Sequence, residues 1–282
     1  MQIFYSKVAL MEHLSDIKTT SSSIGFVPTM GALHQGHQSL MQQSITENKI
    51  TVVSIFVNPT QFNNLEDLEK YPRTLDNDIV KITQVNPAII VFAPTIHDIY
   101  EGKTISQHFD FDGLENKMEG KFRPGHFDGV GTIVKRLFEI VKPRNAYFGE
   151  KDFQQVQIIK KMVDKYKLPV TIVVCPIYRE KNDLAMSSRN ERLTLQEREE
   201  ASIIYKTLKT AKEKFRNSSA QQTLKWVQKE FEQHTNFTLE YFEIADETTL
   251  TTCNKKNRNI KYRAFIAVFI NNIRLIDTIS LN

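Results

Sequence analysis

Short apolar runs alternate with helical patterns over the first 176 residues of the chain. Nearly continuous apolar runs are typical of strands buried on both faces of a parallel sheet. They lie at residues 24–27, 51–57, 88–93, 146–148 and 170–174. Apolar side chains recur at the helical period in residues 38–48, 75–83, 132–141 and 154–166. This βαβ alternation predicts an α/β fold with a Rossmann-like, doubly wound parallel sheet that binds ligands at the carboxyl ends of its strands.

Residues 177–282 follow a different pattern. Helical stretches at 195–215 and 220–234 precede an alternating strand at 239–244. Two apolar runs then flank Asn271-Asn272, a dipeptide that suits the positive φ of a two-residue hairpin turn. We therefore expect a smaller α+β domain at the C-terminal end.

Glycine and proline indicate where the two domains meet. All ten glycines lie at or before Gly149, and all nine prolines lie at or before Pro176. Such a shift in composition favours two architectures over one repeated unit. The predicted domains are 1–176 and 177–282.

Composition narrows the class of protein. The chain has 282 residues, with 40% hydrophobic and 25% charged, as in ordinary globular enzymes. A net charge of +4 with mixed signs does not favour nucleic acid, and the basic cluster at 255–263 is more typical of a solvated loop. Cys175 and Cys253 match neither a disulfide framework nor a zinc site. With neither a leader nor a membrane-spanning stretch recognisable, we expect a cytoplasmic protein without a membrane partner.

A candidate phosphate site follows the first long apolar run. Pro28 is expected to end that strand, and Gly31 and Gly36 allow close approach of the backbone. A strand, a glycine-containing turn and a helix start form an anion site, because free N–H groups and the helix dipole point outward together. His34 and His37 lie three residues apart, so both can face one anion.

This turn has two other interpretations. A Walker A loop is excluded, because His37-Gln38 follows Gly36 where Lys and Ser or Thr are needed. Two capping or solvent-facing histidines are the simpler alternative. The strand–turn–helix context favours the phosphate site.

Polar residues also follow two other predicted strands. The amides of Asn58 and Gln61 are expected to project into the cleft at the end of the 51–57 strand, where they suit a hydroxy acid. The simpler interpretation of this segment is a turn. After the 146–148 strand, Gly149 allows close approach and Lys151 supplies a charge for phosphate.

Four segments of the chain resemble a known family in order and spacing. Residues 30–37, Met30-Gly31-Ala32-Leu33-His34-Gln35-Gly36-His37, resemble the HIGH-type signature of the adenylate-forming nucleotidyltransferase superfamily. Three further segments resemble the pantothenate synthetase (pantoate–β-alanine ligase) family in particular. They are Phe56-Val57-Asn58-Pro59-Thr60-Gln61-Phe62, Phe148-Gly149-Glu150-Lys151-Asp152-Phe153-Gln154-Gln155 and Met186-Ser187-Ser188-Arg189-Asn190.

The resemblance implies a set of site residues. The implied catalytic residues are His34, His37, Lys151 and Arg189. Those implied to bind ATP are Met30, Gly31, Ala32, Leu33, His34, Gln35, Gly36, His37, Gly149, Glu150, Lys151, Asp152, Tyr178, Met186, Ser187, Ser188 and Arg189. Those implied to bind pantoate or β-alanine are Asn58, Gln61, Arg123 and Gln155.

Some roles stay open at this point. Arg123 either serves a substrate carboxylate or holds the wall of the cleft, and Asp152 either contacts nucleotide or caps a helix. Residues 186–189 resemble a KMSKS-type loop that closes over ATP, with a helix cap as the alternative. Two positions depart from the family pattern. Tyr178 stands where an aliphatic residue is usual, and Asn182-Asp183 stand where Asp-Gly is usual.

The implied reaction is an ATP-dependent condensation of (R)-pantoate with β-alanine. Pantoate would attack the α-phosphorus of ATP, and the amine of β-alanine would then displace AMP. Mg²⁺ and a homodimer are implied as well, whereas the residues indicate neither the metal ligands nor the dimer interface.

Two other functions compete with this one. A nucleotidyltransferase that leaves AMP on its product is disfavoured by Asn58, Gln61 and Gln155. An RNA- or nucleotide-binding module is disfavoured by the intact phosphate-binding motifs.

Overall fold

The computed structural model describes residues 1–17 and 23–282. The chain divides into two compact units. The first consists of Met1–Glu115, Gly120–Glu150 and Gln155–Pro176. The second consists of Asn116–Glu119, Lys151–Gln154 and Ile177–Asn282. Two short segments that the sequence analysis assigned to the first domain thus belong to the second unit.

The first unit is built on a parallel sheet. Among the described residues, six strands pair in the order β1-β4-β3-β2-β5-β6, and all the pairs are parallel. This is the doubly wound sheet that the alternation of runs predicted. The strands are β1 Gln2–Phe4, β2 Ile24–Thr29, β3 Ile50–Ile55, β4 Ile90–Phe92, β5 Asn145–Gly149 and β6 Thr171–Cys175.

Helices connect these strands. They are α1 Lys7–Ile17, α2 Gln35–Glu47, α3 Leu65–Glu69, α4 Leu75–Val85, α5 Ile96–Tyr100, α6 Met118–Phe122, α7 His126–Val141 and α8 Phe153–Lys165. Short 3₁₀ turns lie at Pro59–Gln61, Leu114–Asn116 and Glu150–Asp152. One buried cluster joins the central strands to α2 and α4, and includes Val27, Leu40, Met41, Val53 and Ile82.

Two differences from the sequence prediction have physical causes. β2 runs through Pro28, because β5 pairs only with Gly25 and Phe26 and the proline lies beyond that pairing. α7 begins six residues earlier than expected, after Gly125 at a φ of 79°. Its two interior glycines weakened the helical pattern in the sequence. β1 and α1 were not predicted.

The second unit carries an antiparallel sheet. Its strands, β7 Phe237–Asp246, β8 Tyr262–Ile270 and β9 Ile273–Ser280, lie in sequential order. The predicted hairpin is confirmed, since Ile270 pairs with Ile273 and Asn271 has a φ of 50°. The helices are α9 Leu195–Glu200, α10 Ile203–Asn217 and α11 Ala220–Glu232, and a further 3₁₀ turn spans Ser188–Arg192.

The single helix predicted at 195–215 is interrupted between α9 and α10. The N–H of Ser202 donates to Glu199 O at 3.2 Å, and that of Ile204 donates to Ala201 O at 3.1 Å. These i→i−3 bonds tighten the chain into a 3₁₀-type turn at the junction.

A buried ion pair ties the segment Asn116–Glu119 to the rest of the second unit. Arg274 donates two hydrogen bonds to the carboxylate of Glu119, at 2.8 and 2.7 Å, and the Tyr241 hydroxyl donates a third at 2.7 Å. Glu119 is only 8% exposed. Burial and proximity to this carboxylate raise the pKa of Tyr241 well above its usual value, so its hydroxyl remains a donor.

None of the helices in the described ranges combines the length and the apolarity that a bilayer crossing requires.

Close packing of α7 against the 3₁₀ turn Pro59–Gln61 gives a prediction for stability. A Cβ at Gly129 would lie 2.4 Å from Thr60 O, which is backbone and cannot yield. We expect Gly129→Ala to lower the free energy of unfolding by about 3 kcal/mol. Gly131→Ala on the same helix is the matched control, because its Cβ meets only aromatic side chains, at 3.1 Å. Urea unfolding measures both, and equal midpoints would contradict the prediction.

Candidate active site

The topology of the first unit defines one edge of the sheet as the candidate site. β2 and β5 are neighbours. The chain continues from β2 to β3 toward one edge of the sheet, and from β5 to β6 toward the other edge. Ligands of open parallel sheets bind at such a switch point, outside the carboxyl ends of the strands. Residues 30–34 follow β2, and β5 ends at Gly149. Two of the motifs singled out in the sequence thus flank the switch point.

The turn after β2 is held by a buried carboxylate. Asp78 of α4 is completely buried, and its carboxylate accepts the N–H of Ala32 at 3.0 Å and of Leu33 at 2.7 Å. Lys81, one turn later, donates to Leu33 O at 2.6 Å. Gly31 has a φ of 80° and a Cβ there would lie 3.0 Å from the carboxylate, so the turn favours glycine.

Asp78 lies outside every motif identified in the sequence. Its signal was a carboxylate at a core position of α4, on the face shared with Ile82 and Val85. A charged residue on a helix face that is otherwise apolar needs a partner, and here the partners are backbone N–H groups.

The free N–H groups of the phosphate site are fewer than predicted. Those of Ala32 and Leu33 bind Asp78, and that of Gly31 donates to Thr29 Oγ1 at 3.2 Å. In the first turn of α2, the N–H groups of Gln35 and Gly36 have no acceptor among the described residues. The donors available to an anion therefore lie at the start of α2.

The rings of His34 and His37 contact each other at this helix start, tilted by 34°. His34 is the N-cap residue, and its N–H donates to His37 Nδ1 at 3.3 Å. The ring centroids lie 4.0 Å apart. Because Nδ1 of His37 accepts a hydrogen bond, a neutral His37 ring carries its proton on Nε2. The capping bond thus selects the tautomer in which Nε2 is the donor.

Gln61 is half-buried, whereas Asn58 is completely buried. Asn58 Nδ2 donates to Gln61 Oε1 at 3.2 Å and to Gly129 O at 3.1 Å. The expectation that the Asn58 amide projects into a cleft is wrong, because packing by α7 and α5 encloses it. Gln61 Nε2 lies 2.9 Å from Met30 Sδ, beside the turn after β2.

Arg123 and His126 support the backbone of Gln61. His126 Nδ1 lies 2.7 Å from Gln61 O, so this nitrogen carries the proton. His126 Nε2 then accepts from Arg123 Nη1 at 3.2 Å, and Arg123 Nη2 is 3.4 Å from the same carbonyl. Of the two roles left open for Arg123, these contacts favour holding the wall.

Gly149 ends β5 on the switch-point edge. A Cβ added to it would meet no atom within 4 Å. Along α8 the neighbouring glutamines differ. Gln154 is buried and bonded at both ends of its amide, to Glu119 N and Lys117 O, whereas Gln155 is half-buried.

In the second unit, Lys151 Nζ lies 3.4 Å from the Asp152 carboxylate. This ion pair is a contact that the structure shows for Asp152, and the helix cap considered from the sequence stays a prediction.

The Tyr178-to-Met186 segment of the second unit forms a turned-back loop. Met186 N donates to Tyr178 O at 3.0 Å, and Arg179 and Ala185 form an antiparallel bridge. Asp183 adopts a φ of 73°, so it takes the left-handed conformation for which the family pattern has glycine. The Tyr178 side chain is exposed.

The serines after this loop differ in their surroundings. Ser187 caps the following 3₁₀ turn, and its Oγ accepts from Arg189 N at 3.2 Å. Ser188 is buried and Arg189 is half-buried. The cap considered as the alternative thus exists, and the Ser187 hydroxyl proton can still be donated elsewhere.

Over residues 1–17 and 23–282, no three or more His, Cys, Asp or Glu side chains are grouped so that they could hold a metal ion.

The sheet order and the histidine pair at the start of α2, next to the switch point, are typical of a nucleotide-binding α/β enzyme. The profile of the Pantoate-beta-alanine ligase family matches residues 2–280. The chain is 63% identical over 281 residues to a pantothenate synthetase from Flavobacterium psychrophilum, with 100% of both chains covered. It therefore belongs to the pantoate–β-alanine ligase family and is a ligase of pantothenate synthesis.

Solved structures agree with this assignment. The crystal structure of pantothenate synthetase from Thermus thermophilus matches with a TM-score of 0.90 at 33% identity, covering 100% of this chain and 99% of that one. The pantoate-β-alanine ligase from Francisella tularensis, complexed with beta-gamma ATP and β-alanine, matches with a TM-score of 0.80 at 35% identity, covering 100% and 98%. The predicted fold class is thereby confirmed.

The contact between Asp78 and the turn after β2 predicts a large loss of stability. Asp78→Ala leaves the buried N–H groups of Ala32 and Leu33 without an acceptor, so we expect a loss of about 3 kcal/mol in the free energy of unfolding. Asp76→Ala, in the exposed first turn of the same helix, should change it by no more than about 0.5 kcal/mol. Urea unfolding of both variants checks the difference. A loss below about 1 kcal/mol for Asp78→Ala would contradict it.

Proposed function

We propose that the chain joins (R)-pantoate to β-alanine with cleavage of ATP, through a pantoyl adenylate. The observation that carries the proposal is the histidine pair at the start of α2, beside the switch point, together with the Gln61 amide, which contacts Met30 in the turn that leads to α2. Membership of the family supports the same conclusion. The relative complexed with beta-gamma ATP and β-alanine makes ATP the proposed nucleotide.

The first step places negative charge on the phosphates of ATP. The pantoate carboxylate attacks the α-phosphorus, and the bond to the bridging oxygen breaks, so pyrophosphate leaves. His37 Nε2–H and the N–H groups of Gln35 and Gly36 are proposed to stabilise that charge. One such donor is worth about 10²–10³ in rate. His34, Lys151, Ser187, Ser188 and Arg189 are proposed to add donors and positive charge.

Other residues implied to bind ATP have narrower proposed roles. Ala32 and Leu33 shape the turn through Asp78, and Gly149 leaves room for the nucleotide. The remaining proposed contacts are Met30, Gly31, Glu150, Asp152, Tyr178 and Met186.

The acid is proposed to bind through amides. Gln61 Nε2 and the Gln155 side chain would donate to the carboxylate and hydroxyl groups of pantoate. Asn58 acts behind Gln61, and Arg123 holds its carbonyl. In the second step the amine of β-alanine attacks the adenylate carbonyl. The C–O bond to phosphate breaks, AMP leaves, and the amine loses a proton to give the amide.

Mg²⁺ is proposed to enter as part of the substrate MgATP. Mg²⁺ is commonly bound through substrate phosphates and retained waters, with few protein ligands. The absence of a three-residue ligand group in the described ranges fits this mode. A homodimer, no nucleic acid partner and a cytoplasmic location stay predictions from the sequence.

The reaction is tested by incubating the pure protein with MgATP and pantoate, first without and then with β-alanine. We expect pyrophosphate in the first case, and pantothenate with stoichiometric AMP in the second. Mass spectrometry identifies the product. AMP release only with another acid, or a product that retains AMP, would reject the proposal.

Gly149→Ala separates folding from nucleotide binding. The added methyl group meets no protein atom within 4 Å, so we expect the melting temperature to stay the same. The methyl group would occupy space proposed for the nucleotide, so the KM for ATP should rise about tenfold, as for loss of about 1.4 kcal/mol of binding. The KM for pantoate should change little. Gly131→Ala is the matched control, and an unchanged KM for ATP in Gly149→Ala would contradict the role of Gly149.

A further inference from the structure

A buried tyrosine hydroxyl lies behind the Gln61 amide. Tyr100, the last residue of α5, is 4% exposed. Its hydroxyl donates to Asn58 Oδ1 at 2.5 Å and lies 2.8 Å from Thr60 Oγ1. Since the single proton of Tyr100 goes to Asn58, Thr60 is the donor in the second contact, and its Oγ1 also lies 3.3 Å from Asn58 Oδ1. A chain of hydrogen bonds therefore runs from Thr60 through Tyr100 to Asn58.

These bonds fix which way the Asn58 amide faces. Its oxygen accepts from Tyr100, and its nitrogen donates to Gln61 Oε1 and Gly129 O. All the polar groups of this buried amide are thus engaged. Reversing it would set an NH₂ group against the tyrosine O–H and an oxygen against two acceptors, with the loss of three buried hydrogen bonds.

The orientation of the Asn58 amide determines the orientation of the Gln61 amide. Because Oε1 of Gln61 is occupied by Asn58, its Nε2 must face the other way, toward Met30 and the turn after β2. Gln61 is then presented as a hydrogen-bond donor. A donor is what a carboxylate requires, since an ionised carboxylate only accepts.

The tyrosine is itself held in place. The Arg136 guanidinium lies 4.6 Å from the centre of its ring and donates to Ile99 O. Burial raises the pKa of Tyr100 above its usual value, so the hydroxyl keeps its proton at neutral pH.

We propose that Tyr100 is a positioning residue for the acid substrate, which acts through Asn58 to hold Gln61 as a donor to the carboxylate. This inference rests on the proposed function, because it takes Gln61 as a ligand of the acid. It assigns a role in acid recognition to a residue outside every motif singled out in the sequence.

Tyr100→Phe removes the hydroxyl and keeps the ring. We expect the KM for pantoate to rise about tenfold in the adenylation step, with the KM for ATP unchanged within about twofold. Tyr147→Phe is the matched control. Tyr147 is also fully buried, and its hydroxyl binds Glu47 and Asn48, not the Gln61 amide. It should alter the melting temperature and leave the KM for pantoate unchanged.

A double-mutant cycle with Gln61→Ala distinguishes positioning from general loss of stability. If Tyr100 acts through Gln61, adding Tyr100→Phe to Gln61→Ala should lower kcat/KM for the acid by less than about twofold. An unchanged KM for pantoate in Tyr100→Phe would overturn the proposal, and so would additive losses in the double variant.

Two further experiments keep the test of Tyr100 decisive if the variant does not fold or if the proposed function is wrong. If Tyr100→Phe does not fold, Thr60→Val is used, because it removes a hydroxyl that contacts both Tyr100 and Asn58 Oδ1. It should raise the KM for pantoate about threefold, and an unchanged value would overturn the proposal. If the wild-type protein activates a different acid, the proposed function fails. Tyr100→Phe is then compared with that acid, and the same change in KM would support Tyr100 as a positioning residue.

Discussion

The contact between the Asp78 carboxylate and two backbone N–H groups fixes the course of the chain between β2 and α2. Everything proposed for the phosphates depends on that course. With Ala32 and Leu33 tied inward, His34 becomes the N-cap residue of α2, and its N–H orients the ring of His37. The buried carboxylate is stabilised by these directed N–H donors, which replace the hydrogen bonds it would make to water.

Much of the first unit could be predicted from the sequence, because parallel strands buried on both faces leave nearly unbroken apolar runs. The hairpin at Asn271 was predictable for a similar reason, since the turn requires particular residues. The features that could not be predicted from the sequence depend on tertiary contacts. Pro28 stays within β2 only because of where β5 stops pairing, and Asn58 is enclosed by α7, which the sequence placed too late in the chain. Asp78 stood in the pattern as a polar residue on an apolar face, but its partners could not be named without the fold.

The two departures from the family pattern are accommodated within the loop that contains them. Asp183 adopts the left-handed conformation that its position demands, which Asp tolerates better than most residues, and it also pairs with Lys209 at 2.8 Å. The Tyr178 ring is exposed. The backbone carbonyl of Tyr178 accepts the N–H of Met186, and this hydrogen bond closes the loop. Both substitutions leave the backbone hydrogen bonds of the loop in place.

The segment Asn116–Glu119 has a consequence for dissecting the molecule. Its Glu119 supplies one of the two carboxylates that pair with Arg274, although the two residues are 155 positions apart along the chain; the other carboxylate is that of Glu240. A fragment that starts after Pro176 would keep the Arg274–Glu240 ion pair but would lose the Glu119 carboxylate, which accepts hydrogen bonds from Arg274 and from the Tyr241 hydroxyl. The second unit is therefore not one continuous stretch of sequence, and cutting the chain at Pro176 removes a buried partner that lies far upstream.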